Sequence, residues 1–111
     1  MRIDITFRNL APSEALRAYA RDKIGRSKRF LPRMMDAHVT LTVDGFRNIA
    51  EAKLRGAGAT FTAKESSKSD MYAAIDLLSD KIAKQAKRHK ERKGEHRGGP
   101  RPAPVAPDLS D

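Results

Sequence analysis

Apolar and polar side chains alternate with a period of two in four stretches of the chain, which predicts four β-strands. In the first stretch Ile3, Ile5 and Phe7 point to one side, and the residues between them are polar. Asp44-Gly45 and the glycines around Ala57 are turn signals, so the last three strands should form an antiparallel meander. The predicted strands are residues 2–8, 36–44, 48–55 and 59–65.

A helical period replaces the alternation over residues 12–29, where Leu16, Ala20, Ile24 and Ser27 recur on one face. Pro12 suits the first position of a helix, although Ala11 before it is a poor N-cap. Pro32 requires the helix to end before it. This pattern predicts a first helix over about residues 12–29.

A second and stronger helical pattern covers residues 69–92, where Met71, Ile75, Leu78 and Ile82 form one apolar stripe. Ser67 and Asp70 have the spacing of a capping-box variant, which would start this helix. Gly94 is expected to stop it.

The predicted order is β-α-β-β-β-α, which indicates an α+β fold. Each helix has one apolar stripe, so we expect a two-layer sandwich with both helices on one face of a four-stranded sheet. The other sheet face should be polar and open. Residues 1–93 would form the folded domain, because residues 94–111 hold three Gly and four Pro with little apolar content. That segment is expected to be a disordered tail or a truncated linker.

The net charge is +9, and two windows account for the excess. Residues 17–33 and residues 81–93 each contain seven basic residues against one acidic residue. Two solvated helix faces could produce such blocks, but segregation of one sign favours a polyanionic partner such as a nucleic acid.

Other classes of function have little support in the sequence. The chain has no Cys and no Trp, so disulfides and thiolate chemistry are excluded. It has no long apolar run and no signal-peptide pattern, which indicates a cytoplasmic protein with no membrane partner. We expect no cofactor, no metal site, no small-molecule substrate and no enzymatic activity. A small enzyme would have to use Asp70, Asp76 and Asp80, but Asp70 is explained by the helix start and the other two should face solvent.

The basic residues of the second helix begin where its apolar stripe weakens, since Gln85, Ala86 and His89 continue that stripe. We therefore expect the C-terminal half of this helix to extend beyond the sheet. Whether its basic residues and those of the first helix flank one groove or form two patches stays open. The residues that share its basic face are Lys81, Lys84, Arg88 and Arg92.

The string Asp70-Met71-Tyr72-Ala73-Ala74-Ile75-Asp76, followed by the basic run from Lys81 to Lys90, resembles the ribosome hibernation-promoting factors. This family is also called ribosome-associated inhibitors or sigma-54 modulation proteins. The opening residues, Ile3 to Leu10, are consistent with it, and the resemblance covers residues 1 to about 93.

The resemblance implies a factor that binds ribosomal RNA of the small ribosomal subunit, in the channel used by messenger and transfer RNA. It would block translation and preserve idle ribosomes during stress or stationary phase. Long members of the family add a second domain, so this chain is either a short form or one cut within the linker, and its self-association stays open. The alternative is a general module for double-stranded or structured RNA. The expected RNA-binding residues are Lys81, Lys84, Lys87, Arg88, Lys90 and Arg92 on the second helix, with Arg21, Lys28 and Arg29 on the first.

Overall fold

A computed structural model describes residues 1–31, 33–56 and 58–98, with the side chains of the last helix described as far as His89. The predicted order of elements is confirmed. The strands are β1 (Arg2–Arg8), β2 (Met34–Asp44), β3 (Arg47–Gly56) and β4 (Ala59–Ser67). The helices are α1 (Glu14–Gly25), which continues as a short 3-10 helix (Arg26–Arg29), and α2 (Met71–Gly98).

The four strands form one mixed sheet in the order β1-β2-β3-β4. β1 is parallel to β2 because α1 carries the chain back between them, whereas the two hairpins make the other pairs antiparallel. The register places Ile5, Val39, Ala52 and Ala63 in one row across the sheet. All four are buried, so this row lies beneath the helices.

The core combines small side chains on the sheet with large ones on the helices. Ala50 and Ala52 are fully buried on β3, and Ile75, Leu78 and Ile82 of α2 are fully buried above them in the same cluster. Each such aliphatic side chain stabilises the fold by about 1.5–3 kcal/mol when it leaves water. The α+β, two-layer prediction is confirmed, and the apolar stripes of both helices are the ones that the periodicity indicated.

The starts of both helices differ from the prediction. Ser13 is the N-cap of α1, with its hydroxyl accepting a hydrogen bond from the Leu16 amide at 3.2 Å, so Pro12 precedes the helix. Asp70 is the N-cap of α2, and its carboxylate accepts from the Ala73 amide at 2.8 Å. The predicted capping box is wrong because Ser67 still pairs with Asn48 in the sheet. The Ser67 hydroxyl accepts a hydrogen bond from the Ser69 amide at 3.1 Å rather than from an amide of the helix.

The predicted end of the second helix is also wrong. α2 passes Gly94 and ends at Gly98. A glycine inside a helix costs only about 1 kcal/mol relative to alanine, so one glycine does not by itself end a helix of this length. Of the segment predicted as a tail, residues 99–111 lie outside the described residues.

Candidate nucleic-acid interface

Three of the predicted RNA-binding residues lie together on the outer surface of α2. Lys84, Lys87 and Arg88 are exposed. Among the side chains that the structure describes, none of the three has a carboxylate within 4.0 Å. Four residues of helix span about 6 Å, so these cations are close enough to act on one short stretch of phosphates.

Lys81 is held differently, at the outer edge of β4. Its ammonium donates to the carbonyl oxygen of Lys64 at 3.2 Å and lies 3.5 Å from the Glu65 carboxylate. One turn later, the Gln85 side-chain amide donates to the carbonyl oxygen of Thr62 at 3.1 Å. Both side chains therefore satisfy backbone groups of a sheet edge, and the charge of Lys81 is partly balanced within the molecule.

We expected α2 to extend beyond the sheet after Ile82. This is wrong for the described side chains, because α2 stays packed on the sheet up to His89. Ala86 is 2% exposed, and the His89 ring meets the Phe61 ring edge-on with 5.3 Å between their centroids. A small alanine and an aromatic ring were sufficient to continue the packing on β4, although neither looks like a core residue in the sequence. The side chains of Lys90 and Arg92 lie outside the described residues.

Two basic residues of α1, Arg17 and Arg21, lie against the opposite edge of the sheet. The Arg21 guanidinium donates to the carbonyl oxygen of Ile3 at 3.4 Å, and that of Arg17 donates to the carbonyl oxygen of Ile5 at 3.5 Å. β1 and β4 are the outer strands of a four-stranded sheet, so Arg21 and Lys81 are separated by about 14 Å of sheet. These two residues therefore do not line one groove.

Lys28 and Arg29, in the 3-10 helix, lie at the same end of the molecule as the C-terminal part of α2. The strand directions require this, because both helices run opposite to β1, β2 and β4. The Lys28 ammonium contacts the amino group of Met1, and that contact, together with charge repulsion, lowers the pKa of the Met1 amino group. Arg29 is exposed. Among the described side chains, the cations of the two helices that have no carboxylate within 4.0 Å are thus concentrated at one end.

A polar bridge joins the two helices. The Tyr19 hydroxyl donates to the Asp76 carboxylate at 2.5 Å, and the Lys23 ammonium lies 3.2 Å from the same oxygen. The Tyr19 and Tyr72 rings meet edge-on with their centroids 4.9 Å apart. The prediction that Asp76 faces solvent is only partly correct, because its side chain is 45% exposed while its carboxylate binds Tyr19 and Lys23 in the seam between α1 and α2.

The bridge changes the pKa values of Asp76 and Tyr19 in opposite directions. The hydrogen bond from Tyr19, assisted by Lys23, lowers the pKa of Asp76 and outweighs the opposing effect of burial. The same hydrogen bond raises the pKa of Tyr19. The spacing of Tyr72 and Asp76, four residues apart on one helix, was the available signal for this seam, but the sequence did not identify their partner on α1.

The open face of the sheet is polar, as predicted, and its charges alternate in sign. Asp36 lies between Arg2 and Arg55 in the register and is 3.4 Å from Arg55. Arg2 also lies 3.7 Å from Asp4. Such a mixed surface attracts a polyanion less strongly than the end with Lys84, Lys87 and Arg88 does.

Within the described part of the chain, no group of three or more His, Cys, Asp or Glu side chains could hold a metal ion. No helix there is long and apolar enough to cross a membrane.

The sequence of the chain matches one family of known proteins, both by a family model and by individual relatives. Residues 3–94 match the family model described as "Sigma 54 modulation protein / S30EA ribosomal protein". The chain is 40% identical over 103 residues to the ribosome hibernation promoting factor of Azotobacter vinelandii, covering 93% of this chain and 95% of that protein.

Two solved structures share the fold. A ribosomal subunit interface protein from Coxiella burnetii matches with a TM-score of 0.76 and 27% identity, over 82% of this chain and 99% of that one. The N-terminal domain of Thermus thermophilus Protein Y matches with a TM-score of 0.72 and 31% identity, over 80% of this chain and 99% of that one.

Proposed function

The chain belongs to the Sigma 54 modulation protein / S30EA ribosomal protein family, and from that premise we propose that it is a ribosome hibernation factor. It binds the small ribosomal subunit in the channel for messenger and transfer RNA, and its basic helices contact ribosomal RNA. Occupation of that channel blocks translation and stabilises idle ribosomes in the cytoplasm. The protein acts by binding and catalyses no reaction.

The observation that carries the proposal is the cluster of exposed cations at Lys84, Lys87 and Arg88 on α2, which have no described carboxylate partner. Phosphate contacts by such side chains release condensed counterions, and they need no base-reading element. Lys28 and Arg29 add positive charge at the same end of the molecule. Lys81 and Arg21 contribute less, because hydrogen bonds to β4 and β1 hold them at the sheet edges.

The test is co-sedimentation with ribosomes of a chain carrying Lys84→Glu and Arg88→Glu. We expect the affinity to fall at least about tenfold, and the slope of log K against log salt to decrease by roughly 0.7–0.9 for each phosphate that the variant no longer neutralises. The matched control carries Lys53→Glu and Lys64→Glu, which change the net charge equally on the open face of the sheet. Equal reductions of affinity in the two variants would refute the assignment of this surface.

A parallel measurement with arbitrary duplex RNA separates this function from a general RNA-binding module. A hibernation factor should bind ribosomes much more tightly than it binds the duplex at the same salt concentration. Equal affinity for the two would contradict the proposal.

A further inference from the structure

The turn between β2 and β3 presents an aromatic ring that the fold does not use. Phe46 is 89% exposed, more than Phe30, Met35, Tyr72 or Leu77, the other large hydrophobic side chains exposed in the described part of the chain. Folding therefore removes almost none of its apolar surface from water, and the side chain contributes little to stability through burial.

The geometry of the turn does not require an aromatic residue. Asp44 pairs with Arg47, so the turn has two central residues, Gly45 and Phe46. Gly45 has φ 65°, which favours glycine, whereas Phe46 is not among the described non-glycine residues with positive φ. Any ordinary polar residue would fit at position 46, so an exposed ring there needs another explanation.

Exposed cations outnumber the acidic residue of the turn, Asp44, at this end of the sheet. Arg47 follows it directly, and Arg8 and Lys68 lie at the same end of the sheet, all three exposed. In the described structure none of the three lies within 4.0 Å of a carboxylate, while Asp44 is the acidic residue of the turn. If Phe46 entered a pocket of another protein, we would expect apolar side chains around it on this surface. A single flat ring beside cations instead suits a nucleobase, which stacks on the ring, and its phosphates, which bind the cations.

We propose that Phe46 stacks on an unpaired base of RNA while Arg47 contacts the adjoining phosphate. This inference rests on the proposed function, because it takes ribosomal RNA as the partner. β2 has 11 residues, so the stacking site lies about 30 Å from the end of the sheet where the α2 cations are found. The protein would then hold RNA at both ends, by charge at one end and by stacking at the other.

Substitutions at position 46 distinguish stacking from simple apolar contact. Phe46→Ser should weaken ribosome binding about 5- to 150-fold, which corresponds to the loss of one stacked base. Its salt dependence should stay unchanged, because no charge is removed. Phe46→Trp should retain the affinity, and Phe46→Leu should behave like Phe46→Ser. If Phe46→Leu binds as well as the unsubstituted chain, the ring occupies a protein pocket and the proposal is wrong.

The chain has no Trp, which permits a direct spectroscopic readout. With 5-hydroxytryptophan at position 46, the probe can be excited at longer wavelengths than the tryptophans of ribosomal proteins. We expect its fluorescence to be quenched on ribosome binding, and unchanged fluorescence in the bound state would overturn the proposal. If the unsubstituted chain does not bind ribosomes, the proposed function itself fails. If that chain and Phe46→Ser bind equally, only the role of Phe46 fails. Because Phe46 is so exposed, the thermal unfolding of all variants should match that of the unsubstituted chain.

Discussion

The bridge between the helices predicts a specific loss of stability on replacing Asp76 by Asn. This change keeps the shape of the side chain but removes its charge, so the Lys23 ammonium loses its counterion and the hydrogen bond from Tyr19 weakens. Hydrogen bonds to charged groups contribute about 1.5–3 kcal/mol. The Asp76 side chain is 45% exposed, so solvent screening reduces the expected loss to about 1 kcal/mol.

The sign of the pH dependence follows from the lowered pKa of Asp76. The carboxylate binds its proton less readily in the folded chain than in the unfolded chain, so its contribution is complete above the unfolded pKa of about 3.9. That contribution is lost as the pH falls through the lower, folded value. The deficit of Asp76→Asn should therefore be full at pH 7 and should shrink below about pH 4.

Urea unfolding at pH 7 and at pH 3 measures the loss of stability and its pH dependence. In thermal unfolding at neutral pH, the melting temperature should fall by about 4–8 °C. The control is Asp80→Asn, one turn further along α2, where the carboxylate is exposed and has no described ion pair. We expect it to change stability by less than about 0.5 kcal/mol at both pH values. Equal effects of the two substitutions, or a deficit for Asp76→Asn that is as large at pH 3 as at pH 7, would refute the reasoning.

Two further pairs of variants test the packing of the sheet. Gly56→Ala would place a Cβ 2.3 Å from the Arg33 carbonyl oxygen, so denaturation should show a loss of about 2 kcal/mol or more. The control is Gly25→Ala, whose new Cβ meets only the Ile3 side chain at 3.7 Å. It should leave stability equal or raise it by up to about 1 kcal/mol. A similar loss of stability in the two variants would contradict the close approach at Gly56. Lys81→Met with Gln85→Leu would uncover the β4 carbonyl groups, and sedimentation velocity should then detect self-association through the open edge. Lys84→Met with Lys87→Leu adds similar apolar surface away from that edge, so equal association in the two variants would show that the edge is not responsible.

Local patterns were sufficient for the elements and the core. The alternation at Val39 and Leu41 and the helical spacing at Ile75 and Leu78 each depend on neighbours a few residues away, and the structure buries all four. The ends of the helices were less predictable, because the N-cap of α2 is Asp70, whereas Ser67 belongs to the sheet through its pairing with the distant Asn48.

The sequence by itself determined the order of the elements, the faces that are buried and the excess of positive charge, since all three are set by residue type and short-range periodicity. Only the tertiary structure decided which cations are available to a partner. Lys81 and Lys84 are chemically identical and three residues apart, yet one donates to a β4 carbonyl group while the other is exposed. That difference arises because electrostatic and hydrogen-bonding partners depend on proximity in space. Lys81 and Lys64 are 17 positions apart and Tyr19 and Asp76 are 57 positions apart, so only the fold brings each pair together.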